Sequence, residues 1–188
     1  MSLRMKSPVL ICVDLQVGFQ DEDYWGGNRN NPDAEHVCAQ IIAKWRAIGE
    51  DIIHVRHSST NPCSRLHADA EGFSFYPSCR PAAGETVLTK SVNSCFIGTD
   101  LKMRLDQKNC QTLVIIGLTT DHCVSTTTRM AGNYGYETFV VSDATATFNK
   151  TGMNGEVYLS ELIHDTALAS LKDEFATVMS SAALFDIL

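Results

Sequence analysis

A chain of 188 residues, 44% hydrophobic and 20% charged, can bury one sizeable core and has the composition of an ordinary globular protein. Its formal net charge of −7 provides no concentration of Lys and Arg for nucleic-acid phosphates, and no apolar run is long enough to cross a bilayer, so neither kind of partner is expected. Seven cysteines (Cys12, Cys38, Cys63, Cys79, Cys95, Cys110 and Cys123), odd in number and without a Cys-x-x-Cys pair or a signal peptide ahead of them, read as reduced thiols in a cytoplasmic compartment.

The whole of 1–188 reads as a single domain, with residues 1–7 a leader or N-terminal extension given no function. Residues 8–13 (PVLICV) are an uninterrupted apolar run between Pro and Asp, the pattern of a strand buried on both faces. A loop over 18–32 follows. Pro32 and Asp33 then open a helix whose Val37, Ile41, Ile42, Trp45 and Ile48 recur at helical spacing until Gly49. Residues 52–55 form the second strand, and a long irregular segment runs from there to Gly84, the kind of loop that is usually functional. Residues 86–89 form the third strand, ending at Lys90, and Thr99 caps a short helix with Leu101 and Leu105 facing inward.

Residues 112–116 form the fourth strand, 121–134 a helix and 137–141 the fifth strand, with 143–146 a loop after it. A long helix is expected over 155–172, with Val157, Leu159, Leu162, Ile163, Leu168 and Leu171 as its apolar set, and a sixth strand over 175–179. Apolar strands alternating with helices mean parallel βαβ units. The expected fold is α/β, a three-layer α/β/α sandwich with a six-stranded, mainly parallel sheet in Rossmann-like order.

In such sheets ligands bind at the carboxyl ends of the strands. The polar residues there are Asp14, Arg56, His57, Lys90, Cys123 and Asp143 in chain order. Taken singly each has an ordinary structural reading: Asp14 as a turn cap, Lys90 as a solvated cation, His57 as a hydrogen-bonded loop residue, Asp143 as a buttress of its loop. Cys123 follows a strand, a glycine and a helix start, where unsatisfied N–H groups favour a thiolate, although a small buried Cys in packing is equally ordinary. An acid, a cation and a thiol on one sheet edge are what nucleophilic acyl transfer requires.

Taken together, these residues resemble the isochorismatase-like cysteine hydrolase superfamily, which includes nicotinamidases, N-carbamoylsarcosine amidases and ureidoacrylate amidases. The resemblance rests on Val13-Asp14-Leu15-Gln16 with Phe19, on Lys90 with Ser94, Cys95, Phe96, Thr99 and Leu101, on the run Gly117 to Val124 (GLTTDHCV) with Thr128, and on Gly135, Asp143 and Ala144. It extends from about residue 8 to about residue 180 and includes the 164–168 segment (HDTAL).

The resemblance implies an Asp14, Lys90, Cys123 triad that cleaves a C–N bond of a small amide, carbamoyl or ureido substrate through a thioester. It also implies an oxyanion hole from the backbone N–H groups of Thr119 and Cys123, with a cis peptide at Leu118–Thr119. It further implies a homodimer or homotetramer. Phe19, Arg56, His57 and Phe96 are candidate substrate contacts. Nicotinamidases bind a divalent metal through an Asp-x-His pair after the second strand, but this chain has Val55-Arg56-His57 there. No metal and no other cofactor is therefore expected. A metal site on His54, His57 and His67, as in a metal-dependent nicotinamidase, and a non-catalytic thiol sensor or binding protein are the alternatives. Isochorismatases that cleave a vinyl ether generally lack the Cys, so its presence favours C–N hydrolysis.

Overall fold

The computed structural model describes residues 2–188. Six strands make one sheet: β1 (Val9–Val13), β2 (Ile52–His57), β3 (Thr86–Lys90), β4 (Thr112–Leu118), β5 (Glu137–Ala146) and β8 (Thr177–Met179). Their order is β3-β2-β1-β4-β5-β8 and every pairing is parallel. The direction of strand addition reverses at β1, which β2 and β4 flank, so the crevice for a ligand opens beyond the carboxyl ends of β1 and β4.

Alternation along each strand divides the core in two. Leu10, Cys12, Val114 and Ile116 face the layer of α2 (Ala34–Ile48), with Trp45 fully buried, and of α6 (Ser181–Ile187), with Leu184. Val9, Ile11, Val13, Leu113 and Ile115 face the layer of α3 (Leu101–Gln107), α4 (Ser125–Asn133) and α5 (Ser160–Leu171). A three-layer α/β/α sandwich results, as the apolar runs indicated. Among the described residues no helix is long and apolar enough to cross a membrane. Leu3, in the segment read as a leader, is 2% exposed and joins the first core cluster.

Some elements differ from the sequence reading. The helix expected over 155–172 begins only at Ser160, because Val157–Tyr158 (β7) pairs antiparallel with Lys150–Thr151 (β6) in a small separate hairpin. Val157 and Leu159 are two residues apart, a strand spacing, and with Leu162 they are exposed instead of lining the core. Residues 143–146 are not a loop: β5 runs through them, meeting Gly117 and Leu118 after a register shift. The 18–32 loop contains a one-turn helix, α1 (Glu22–Trp25), and the 58–84 loop two short 3-10 turns. The C-terminal helix α6 did not show in the periodicity.

Candidate active site

The end of β1 turns sharply at Asp14, which adopts a left-handed conformation (φ 49°), a region Asp tolerates better than most side chains. Two residues on, Gln16 accepts from the His57 N–H at 2.7 Å and donates to the His57 and Phe73 carbonyls, both at 3.0 Å. One amide side chain thus ties the end of β1 to the end of β2 and to the long loop after it. His57 is the register partner of Lys90 on edge strand β3. Because β3 stands two strand spacings from β1, roughly 9–10 Å, only a long side chain can bring a cation from its end to Asp14.

Lys90 makes that reach. Its Nζ lies 2.7 Å from Asp14 Oδ2, 3.2 Å from His57 Nδ1 and 3.3 Å from Cys123 Sγ. Both side chains of the Asp14–Lys90 pair are wholly buried. Asp14 Oδ1 is buried without a hydrogen-bond partner, which leaves one carboxylate oxygen free to receive a proton.

Beyond β4 the Leu118–Thr119 peptide is cis. Thr120–Val124 then forms a π-helical turn in which the Val124 N–H bonds back to the Thr119 carbonyl, before α4 continues as a regular helix. Such single π turns are frequent at functional sites. Close approach makes Gly117 necessary: at φ 119°, a Cβ there would come 1.9 Å from the Val13 carbonyl oxygen.

The electrostatics of the floor change one expectation. A helix start was read as favouring a Cys123 thiolate. In the folded site, burial and then the Asp14 charge push the thiol well above its ordinary value, while Lys90 opposes them. The balance of these influences favours the protonated form of the Cys123 thiol. Burial disfavours the Lys90 ammonium, but Asp14, Cys123 and Cys95 outweigh it and hold the lysine above its usual range. Burial and then Lys90 lower His57, so a neutral imidazole faces the ammonium.

Asp14, His57 and Cys123, with Thr119, are among the residues lining a cavity of about 240 Å³, and Lys90 contacts the first three without lining it. Of the candidate contacts, Phe19 and His57 line it. Arg56 instead packs its guanidinium over the Phe73 and Phe75 rings, 4.3 and 5.6 Å from their centroids, and donates to Thr89 Oγ1. Phe96 is buried against Tyr134 and Tyr136 and does not line the cavity. Asp143 accepts from the Ser181 N–H and hydroxyl at the start of α6, which makes it a buttress.

His54 points to the opposite face of the sheet, where its Nε2 lies 2.8 Å from Glu85. His54, His57 and His67 therefore do not converge. Among the described residues, the one group of His, Cys and carboxylate atoms spaced closely enough for a metal is Asp14, His57 and Cys123. The Lys90 ammonium already contacts all three, so the cation these donors face is the protein's own lysine.

Reading by elements missed several lining residues. Tyr24 and Trp25 come from α1, with Trp25 Nε1 donating to the Gly18 carbonyl at 2.8 Å and its ring 4.8 Å from that of Phe19. His122, adjacent to Cys123 in the same motif, was within reach of sequence reasoning. Lys150, on a hairpin with no sequence signal, was not.

Known proteins of one family resemble this chain over most of its length. The family model described as "Isochorismatase domain" matches residues 8–183. The isochorismatase family protein YrdC of Bacillus subtilis, itself uncharacterized, is 44% identical over 177 residues, covering 94% of each chain. A solved structure of an isochorismatase-family protein from Chromobacterium violaceum superposes with a TM-score of 0.92 at 37% identity, covering 100% of this chain and 98% of that one. A streptothricin hydrolase of Streptomyces noursei is 25% identical over 170 residues, 89% of this chain and 62% of its own.

Proposed function

This chain belongs to the isochorismatase family of hydrolases, and from that premise we propose that it cleaves a C–N bond of a small amide, carbamoyl or ureido compound through a Cys123 thioester. The observation that carries the reading is the contact of one buried ammonium, Lys90 Nζ, with Asp14 Oδ2 at 2.7 Å and Cys123 Sγ at 3.3 Å, two groups that line the cavity.

In this reading the Asp14 carboxylate removes the thiol proton as Sγ attacks the substrate carbonyl carbon, and Lys90 stabilises the anionic character shared by sulfur and carboxylate. The C=O electron pair moves to oxygen, where the N–H groups of Thr119 and Cys123 receive it; each such donor typically contributes a few kcal/mol, roughly 10²–10³ in rate. Collapse of the tetrahedral species breaks the C–N bond, and the nitrogen leaves as ammonia or amine with the proton from Asp14. Water then attacks the thioester, gives its proton to Asp14, and the acid departs as the proton returns to sulfur.

The metal-dependent nicotinamidase reading receives no support from this geometry, because His54 is on the wrong face of the sheet and the cation that bridges Asp14, His57 and Cys123 is Lys90. A thiol sensor is favoured by a readily ionised cysteine, whereas burial and the Asp14 charge push the Cys123 thiol above its ordinary value.

The test is ammonia release from a panel of small primary amides, N-carbamoyl compounds and ureido compounds, with acid-quenched protein examined by mass spectrometry for an acyl adduct on Cys123. The expected result is turnover that Cys123→Ser abolishes, together with the adduct. Full activity of Cys123→Ala would overturn the covalent mechanism.

A further inference from the structure

One cation, Lys90, lies against Asp14 and Cys123 beneath the lining, and another, Lys150, stands among the lining residues with no part in the chemistry. Lys150, at the start of β6, and His122, next to the nucleophile, both line the cavity. A single carboxylate holds them: Asp121 Oδ2 is 3.4 Å from Lys150 Nζ and 3.4 Å from His122 Nε2. Its other oxygen, Oδ1, accepts from Thr147 Oγ1 at 2.6 Å.

Asp121 itself does not line the cavity. Burial disfavours its charge, but the Thr147 hydrogen bond, His122 and Lys150 outweigh burial and hold it below the usual carboxylate range, so it stays an anion behind the two side chains it positions. Burial lowers His122, which is neutral near pH 7. The other charged group lining the cavity is Asp14, neutralised by Lys90. The lining therefore shows an incoming ligand one ammonium, paired from behind with Asp121, the imidazoles of His57 and His122 and the neutral polar groups of Asn61, Asn93, Ser59 and Ser64, beside the apolar surface of Phe19, Trp25 and Leu66.

We propose that the substrate carries a carboxylate in addition to its scissile amide, and that Lys150, backed by Asp121, binds that carboxylate and sets the specificity of the site. This rests on the cysteine-hydrolase reading of the floor. The chemistry is that of a charge-assisted hydrogen bond in a partly enclosed site, where an ammonium discriminates an anion from its neutral isostere. A cavity of about 240 Å³ admits only a small molecule, so the ligand class is a small amide of an amino acid, dicarboxylic acid or similar anion.

A matched pair of alkylating probes tests this without knowledge of the substrate: 3-iodopropionate and its neutral isostere 3-iodopropionamide. Reaction at Cys123 is followed by peptide mapping, because Cys63 is exposed and will also react. The ratio of the two rates is compared in wild type, Lys150→Gln and Lys150→Arg. The expected result is a fall of about tenfold in the ratio for Lys150→Gln, and recovery of most of it in Lys150→Arg. A ratio unchanged by Lys150→Gln would overturn the proposal while leaving Cys123 as nucleophile. Failure of Cys123 to react with either probe even at pH 9 to 10, where its alkylation is expected to rise, would overturn both readings.

Discussion

Lys90 and Asp14, 76 residues apart in the chain, form an ion pair of 2.7 Å with neither side chain exposed to solvent. Burying two charges costs more than a surface pair returns, and a single-partner deletion leaves the other charge uncompensated. Lys90→Met should therefore destabilise the fold by about 3–5 kcal/mol, besides reducing turnover by orders of magnitude. The double variant Asp14→Asn/Lys90→Met should recover most of that stability and none of the activity. Urea unfolding of the four species measures the coupling; additive losses in the double variant would show that the pair does not act as a unit.

Alkylation of Cys123 and turnover should respond in opposite directions to the same change. Burial and Asp14 keep the Cys123 proton in place, so its alkylation by iodoacetamide should still be rising above pH 9. Asp14→Asn removes a raising influence and should speed alkylation at pH 8 while abolishing turnover. Lys90→Met removes a lowering influence and should slow it. Alkylation that levels off below pH 8 in wild type would contradict the protonated resting thiol.

Gly117 admits no side chain. A Cβ placed 1.9 Å from the Val13 carbonyl oxygen cannot be accommodated without moving β1 against β4, and the residue's φ of 119° disfavours any other amino acid. Gly117→Ala should cost at least about 2–3 kcal/mol and displace the turn that carries Cys123. Thermal unfolding together with Cys123 alkylation would register both effects, whereas a wild-type melting temperature would refute the close approach.

His164, in α5, is linked to the same turn from the other side, its Nδ1 2.9 Å from Thr120 Oγ1. Burial lowers its pKa from the ordinary 6.5, so the folded protein binds the neutral form more favourably than the charged one. The unfolded chain then takes up the proton first. The stability associated with neutral His164 is complete above about pH 6.5 and is lost as pH falls through the lowered folded value. His54, buried beside Glu85 and also lowered chiefly by burial, acts in the same direction. The melting temperature should drop between pH 7.5 and pH 5, and His164→Gln should shrink that drop; an identical pH dependence in the variant would remove His164 from the linkage.

The site was legible in the sequence where its chemistry sits on the ends of regular elements. Asp14 closes an unmistakable buried strand, Lys90 ends another, and Cys123 follows a strand and a glycine, so the three could be set on one edge before any contact was known. The lining was less legible. Trp25 and Lys150 lie on a one-turn helix and a two-residue strand, too short to carry a period, and Arg56 and Phe96 stood at plausible positions but spend their side chains on Phe73 and Phe75, and on Tyr134 and Tyr136. The expected helix over 155–172 failed at its start, because an apolar pair two residues apart was counted at a spacing it did not have.

What the sequence by itself determined was the alternation of strands and helices, the parallel sheet and the edge on which the acid, the lysine and the thiol stand, since periodicity and punctuation are local properties of the chain. Tertiary structure decided how those groups behave. Lys90 is a buried ion-pair partner, Cys123 a thiol pushed above its ordinary pKa and His54 a residue of the opposite layer only because of neighbours from distant segments. Charge state depends on solvent exclusion and on charges within a few ångströms, and no spacing within one segment encodes either.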